Sequence, residues 1–296
     1  MDVFTIKDVE NLSGIKAHTI RIWEQRYSLL KPLRSDTNIR YYNNEELKTI
    51  LNIALLNKYG YKISQIDRMS QVDMNEKILS LSQIEAQQER IINQLIQEMI
   101  SLDMEAFEDT LDTCIQNRGI QETITQIIFY FLERIGILWH TRSINAAQEH
   151  LVINIIRRKL LVGIDAGIST DTSHAVAILF LPEGEYHELG LILVHYLLKI
   201  RGIQVLYIGT NIPLVDVAYV ADIKKPAFLY THLTSVSNNF KFDKFLLEIH
   251  SLLSQFPIVV SGKITQTYKK GLPNNVYFKN SFQEVLQYIS SISAQK

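Results

Sequence analysis

The sequence predicts a multidomain α plus α/β protein: short helices with a hairpin, then a four-helix bundle, then a doubly wound parallel sheet. Three observations carry this. Helical segments before about residue 70 are short and punctuated by Gly14 and Gly60. From residue 76 to about 163, apolar residues recur at spacings of three and four, the stripe of packed helices. From Ser173 onward, five short β-rich runs alternate with helical ones, which builds a parallel sheet. The 296 residues also suffice for two or three cores, since domains cluster near about 100 to 150 residues.

Lys plus Arg total 30 against 31 Asp plus Glu, so any nucleic-acid surface must be local. The single cysteine, Cys114, excludes an internal disulfide framework and fits a reducing compartment. The start "MDVFTIKDVENLSG" has no basic segment leading into an apolar run, and no stretch approaches a membrane-spanning length of about 18 apolar residues. A cytoplasmic protein is expected.

Between Asp8 and His18 the chain reads helix, turn through Ser13 and Gly14, second helix, the spacing of a helix-turn-helix. The second helix carries Lys16, His18, Thr19, Arg21 and Arg26, while Ile20 and Trp23 can face a core. "LLKPLRSDTNIRYYNNEE" then suits a two-stranded hairpin. Residues 14–41 hold six basic residues (Lys16, Arg21, Arg26, Lys31, Arg34, Arg40) against two acids (Glu24, Asp36), a balance of +4. Such charges neutralise phosphates, and side chains at the start of the second helix can reach base edges in a major groove.

Over roughly the first 70 residues the chain resembles the MerR family of transcriptional regulators, through T-I-R-x-W-E-x-R-Y at Thr19 to Tyr27, L-x-P-x-R at Leu30 to Arg34 and I-R-Y-Y at Ile39 to Tyr42. The resemblance implies a winged helix-turn-helix over residues 1–75, with Arg21, Arg40 and Tyr41 as leading contacts to double-stranded DNA and Lys16, His18, Thr19, Arg26 and Arg34 beside them.

The bundle, residues 76–165, is expected as helices Asn75 to Leu81, Gln83 to Leu102, Met104 to Ile135 with a break near Gly119, and Asn145 to Val162. Its stripes need no function beyond packing. Trp139 closes one helix, Ser143 can cap the next, and Glu149 and His150 point about 100 degrees apart on it.

The sheet, residues 172–296, has strand candidates "HAVAILFL", "QVLYIG", "AFLYTHL", "PIVVSG" and "VYFK". Ligands of such sheets lie beyond the carboxyl ends of the strands. There the first strand runs into "PEGEYHELG", where Gly184 turns the chain, Gly190 permits close approach of a flat group, and Glu185 lies two residues before His187. A carboxylate that fixes one imidazole nitrogen makes the other a better metal ligand. One histidine is too few for zinc; a metal bringing most of its own ligands needs only one.

Glu185-Tyr186-His187-Glu188-Leu189-Gly190 is similar to the D-x-H-x-x-G motif of cobalamin-binding domains, with Glu in place of the first Asp. Thr231 and Leu233 stand roughly where that family has S-x-L, and Ser261-Gly262 stands for its Gly-Gly. The resemblance implies a Rossmann-like domain with His187 as lower ligand of cobalt and Glu185, Gly190, Thr231, Leu233, Ser261 and Gly262 around the cofactor. "WHTRSINAAQEH" resembles the W-x9-E-H element of light-responsive, cobalamin-binding MerR-type repressors, the CarH and LitR group, with Arg142 in place of a frequent glycine. Trp139, Glu149 and His150 are then expected over the upper face of the corrin, His150 as a second axial ligand after light.

The resemblance covers almost the whole chain and implies a non-enzymatic repressor governed by adenosylcobalamin and light, acting as a homo-oligomer, dimer or tetramer. Two alternatives stay open: a regulator that keeps the fold without cofactor and acts through protein–protein contacts, and a corrinoid-dependent methyl carrier.

Overall fold

Strand β1 (Phe4–Thr5) leads into α1 (Ile6–Ser13) through a reciprocal cap: the Asp8 amide donates to Thr5 Oγ1 (3.3 Å), and Asp8 Oδ2 accepts from the Thr5 amide (2.8 Å). This satisfies amides that a helix start otherwise leaves unpaired. Gly14, at φ 72°, ends the helix and turns the chain into α2 (Ala17–Arg26). Strands β2 (Leu33–Arg34) and β3 (Arg40–Tyr42) form the expected hairpin. β1 pairs with the other edge of β3, giving an antiparallel sheet ordered β1-β3-β2. Two residues are too few to display an alternation, so this third strand has no sequence signature.

This computed structural model describes residues 4–36, 38–140, 144–167, 175–234 and 240–293, and the chain divides into two units, residues 1–156 and 157–296. In the first, α3 (Asn44–Lys58) starts from an Asn43–Glu46 box. α4 (Ile63–Ile66) is a single turn, because Ser70 and Asp73 form their own cap and start α5 (Gln71–Leu79) four residues before the expected Asn75. α6 (Ile84–Ser101) and α7 (Met104–Thr123) follow, with Gly119 at φ 78° and ψ 161° breaking α7 where a break was expected. A π turn, Ile124–Ile128, leads into α8 (Phe129–His140). Before α9 (Ala146–Ala166) the cap is Asn145, whose Oδ1 accepts from the Gln148 amide at 3.0 Å while Gln148 Oε1 accepts from the Asn145 amide at 3.0 Å. Ser143, expected in that role, and Arg142 lie outside the described residues. On α8, half-buried Arg134 donates to Asn93 Oδ1 (2.6 Å) and to the Leu12 carbonyl, fastening α1 to the bundle within this unit.

The second unit runs β4 (Val176–Pro182), α10 (Leu189–Lys199), β5 (Gln204–Ile212), α11 (Leu214–Lys224), β6 (Phe228–His232), α12 (Phe242–Leu253), β7 (Ile258–Ser261), α13 (Lys263–Thr267), β8 (Val276–Lys279) and α14 (Phe282–Ser293). All strands are parallel, in the order β5-β4-β6-β7-β8. β4 has β5 on one side and β6 on the other, so the strand order reverses at β4 and its carboxyl end is the switch point. Alternation sorts the faces: Ile178 and Phe180 of β4, Leu229 of β6 and Ile258 and Val260 of β7 share one core with Phe245 and Ile249 of α12.

Candidate functional site

The chain leaves β4 at Pro182 and turns through Gly184, at φ 83°. The Gly184 amide donates to Asn211 Oδ1 (3.0 Å) at the end of β5, bracing the turn. The next residue, Glu185, is fully buried, and its carboxylate is an organising centre. Oε1 accepts from the amides of Tyr186 and His187, each at 2.9 Å, and from His187 Nδ1 at 2.7 Å; Oε2 accepts from the Thr234 amide at 3.2 Å. An ionised carboxylate only accepts, so Nδ1 carries the hydrogen of this bond, which selects the neutral tautomer whose lone pair is on Nε2. The His187 side chain is 48% exposed against 0% for Glu185: the carboxylate is buried and nearly half of the imidazole side chain lies at the surface. Beside it, Glu188 binds Arg157 (2.6 Å) and accepts from the Tyr207 hydroxyl (2.8 Å), and burial with that carboxylate pushes the Tyr207 pKa upward.

The glycines of the motif have an unexpected neighbour. A Cβ at Gly190 would lie 2.5 Å from Cδ2 and 2.8 Å from Nε2 of His232, so the flat group packed against Gly190 is this chain's own imidazole. His232 Nδ1 is 2.7 Å from Ser261 Oγ, which is 2.6 Å from the Tyr230 hydroxyl. Burial pushes the His232 pKa down to about 4, only partly opposed by the Glu185 carboxylate. Gly262, at φ 98°, is confined likewise: a Cβ there would lie 2.3 Å from the Leu233 carbonyl oxygen.

Alternation along β6 places His232 and Tyr230 on one face and Thr231 on the other. Thr231 and Leu233 are therefore not brought to Gly190. Both are buried, Leu233 in the apolar core, and Thr231 Oγ1 has no hydrogen-bond partner among the described residues. Sequence reasoning missed His232, Tyr230 and Arg157. The one available signal was the period-two alternation through "YTHL", which puts His232 and Thr231 on opposite sides whichever of them faces the site.

In the first unit, Glu149 is half-buried and His150 exposed near the start of α9; Trp139 falls on α8, with its side chain outside the described part. In the head, Lys16, His18, Arg21, Arg26 and Arg34 are exposed, and Thr19, Arg40 and Tyr41 half-buried. Trp23 is a core residue. Arg34 and Arg40 are cross-strand partners, and like charges directly opposite repel. The fold relieves this by binding Arg40 Nε to Glu24 (2.7 Å), which also accepts from the Tyr42 hydroxyl, and Arg34 Nη1 to Asn38 Oδ1 (2.6 Å). Arg40 thus fastens the hairpin to α2. Among the described residues no cluster of three His, Cys, Asp or Glu could hold a metal ion, and no helix is long and apolar enough to cross a membrane.

A family model described as MerR HTH family regulatory protein matches residues 4–72, and one described as B12 binding domain matches residues 91–162. The HTH-type transcriptional repressors CarA and CarH of Myxococcus xanthus are each 23% identical to this chain, over 90% of it and over 89% and 91% of their own lengths. The structure of a monomethylamine corrinoid protein of Methanosarcina barkeri superposes with a TM-score of 0.50 at 13% identity, covering 69% of this chain and 98% of that one; the likeness is one of fold. With a MerR-type helix-turn-helix followed by a B12-binding domain, the chain is a homologue of the CarA and CarH repressors across 90% of its length and a transcriptional regulator of their type.

Proposed function

We propose that this chain represses transcription from operator DNA, and that adenosylcobalamin, and through it light, sets its state. The observation that carries the reading is the Glu185–His187 pair at the switch point of the sheet. A half-exposed imidazole whose Nδ1 is held by a buried carboxylate at 2.7 Å, with no cluster of three His, Cys, Asp or Glu among the described residues, suits a metal whose remaining positions are filled by its own macrocycle. Bound there, adenosylcobalamin supplies a cobalt–carbon bond that light breaks. His187 Nε2 would hold the cobalt, and Glu185 would keep the imidazole oriented, with the hydrogen of its neutral form on Nδ1.

The upper ligand is sensed, on this reading, by residues carried over from the resemblance. Trp139 would offer a flat surface, Glu149 would accept from ribose hydroxyls, and His150 would supply a second nitrogen for the cobalt. Residues 1–75 bind duplex DNA: Arg21 and the start of α2 enter the major groove, while Lys16, His18, Thr19, Arg26, Arg34, Arg40 and Tyr41 contribute phosphate or base contacts. The chain acts in the cytoplasm as a homo-oligomer, without catalytic turnover. A corrinoid methyl carrier is the second reading, favoured by the fold likeness to the corrinoid protein; the DNA-binding head opposes it. The test is operator binding by the adenosylcobalamin-loaded protein at fixed salt, in the dark and after green light. Tight dark binding lost in light, and weakened in Arg21→Ala by about 1 to 3 kcal/mol, is expected. Identical dark and lit binding would remove light from the mechanism.

A further inference from the structure

His232 is the residue that the reading above leaves without a task. Its imidazole lies where a Cβ of residue 190 would be, 2.5 Å from Cδ2, and it is fixed there: its strand partner is Ser261, whose hydroxyl is 2.7 Å from Nδ1, with the Tyr230 hydroxyl 2.6 Å beyond. When a protein histidine takes the lower position on cobalt, the benzimidazole that cobalamin carries on its nucleotide tail is displaced. It hangs from the same face of the ring, towards the surface that bears His187. A glycine three residues past that histidine leaves a slot for a flat ring against the main chain, and here the slot is already filled.

We propose that His232 is a movable plug in the nucleotide slot and selects among corrinoids by whether they carry a tail; this rests on the cofactor reading above. Of the two obstructions at the motif's glycines, the one at Gly262 is the main chain of Leu233, which side-chain rotation cannot clear. The obstruction at Gly190 is an imidazole on a rotatable bond. A corrinoid without a nucleotide reaches His187 with His232 in place. Cobalamin inserts its base only after His232 swings out and gives up its bond to Ser261.

The experiment measures binding of hydroxocobalamin and of hydroxocobinamide, which has the same ring and no nucleotide, by equilibrium dialysis with the full-length parent, His232→Ala and His232→Asn. Displacing the base costs cobalamin some affinity in any protein, so the deciding quantity is how the cobalamin-to-cobinamide affinity ratio changes with the variant. The ratio should rise by about tenfold or more in His232→Ala, the value of one well-seated ring, and less in His232→Asn, with cobinamide affinity unchanged. In the parent, the 15N signals of the His232 imidazole should shift with cobalamin and not with cobinamide, a readout needing no variant. An unchanged ratio, both affinities moving together, or a His232 signal answering both corrinoids would overturn the plug while leaving the cofactor reading intact. Binding of neither corrinoid to any of the three proteins would overturn both.

Discussion

Two histidines stand at the carboxyl end of one sheet and are handled in opposite ways. His187 sits on a loop, has Nδ1 tied to a carboxylate at 2.7 Å, and leaves nearly half of its side chain to solvent. His232 ends a central strand, has Nδ1 tied to a hydroxyl at 2.7 Å, and points the rest of its ring into main chain. The partner sets the consequence. A buried carboxylate holds the imidazole proton on Nδ1 and makes the far nitrogen a better donor to a metal, whereas a hydroxyl in a dry setting leaves His232 neutral, its pKa lowered to about 4. A histidine's role is therefore read from what binds its near nitrogen and where the far one points.

The contrast breaks most violently at Gly262. If its φ of 98° and its contact with Leu233 are demands of the chain, Gly262→Ala should lower unfolding free energy by more than about 3 kcal/mol with no cofactor present. A chemical denaturation midpoint equal to the parent's would return that glycine to the ligand. Next, His187→Ala should cut cobalamin affinity about 100-fold or more, while His232→Ala should not reduce it; titration followed by absorbance compares them. Equal losses would erase the distinction between the two rings.

A third prediction uses pH. The His232 pKa falls from 6.5 to about 4 on folding, so the unfolded chain binds the extra proton between those values. Its contribution is full above about pH 6.5 and lost as pH falls towards 4, about 3 kcal/mol in all. Denaturation of the apoprotein at stepped pH should give a shallower slope across that window in His232→Asn; identical slopes would mean His232 is not held neutral by its site. The smallest effect belongs to Glu185→Gln, about tenfold in cobalamin affinity, because an amide can still accept from Nδ1 but leaves the imidazole less basic. Affinity equal to the parent's would make the buried charge irrelevant.

The five strands of the large sheet are legible in the sequence because each is a short apolar run bounded by turn residues, and His187 because its neighbours Glu185 and Gly190 recur at motif spacing. What escapes is set by length or by the third dimension. β1 has two residues and α4 four, too few for any period. The start of α5 depends on Ser70 winning the cap. Arg40 reads as a phosphate contact, yet folding turns part of it inward to Glu24, sixteen residues earlier in the chain. His232 sits in the middle of "YTHL" and looks like strand filler; that its ring meets Gly190 follows only once β4 and β6 lie side by side.

The central claim, that a nitrogen of this protein rather than the cofactor's own base holds the cobalt, is tested most directly by electron paramagnetic resonance of bound cob(II)alamin in protein grown with 15N-histidine. Each cobalt line should split into a doublet in labelled protein and a triplet in unlabelled protein, and the doublet should be absent from labelled His187→Ala. Triplets that persist in the labelled protein would show cobalamin's own base still on the metal and contradict the account.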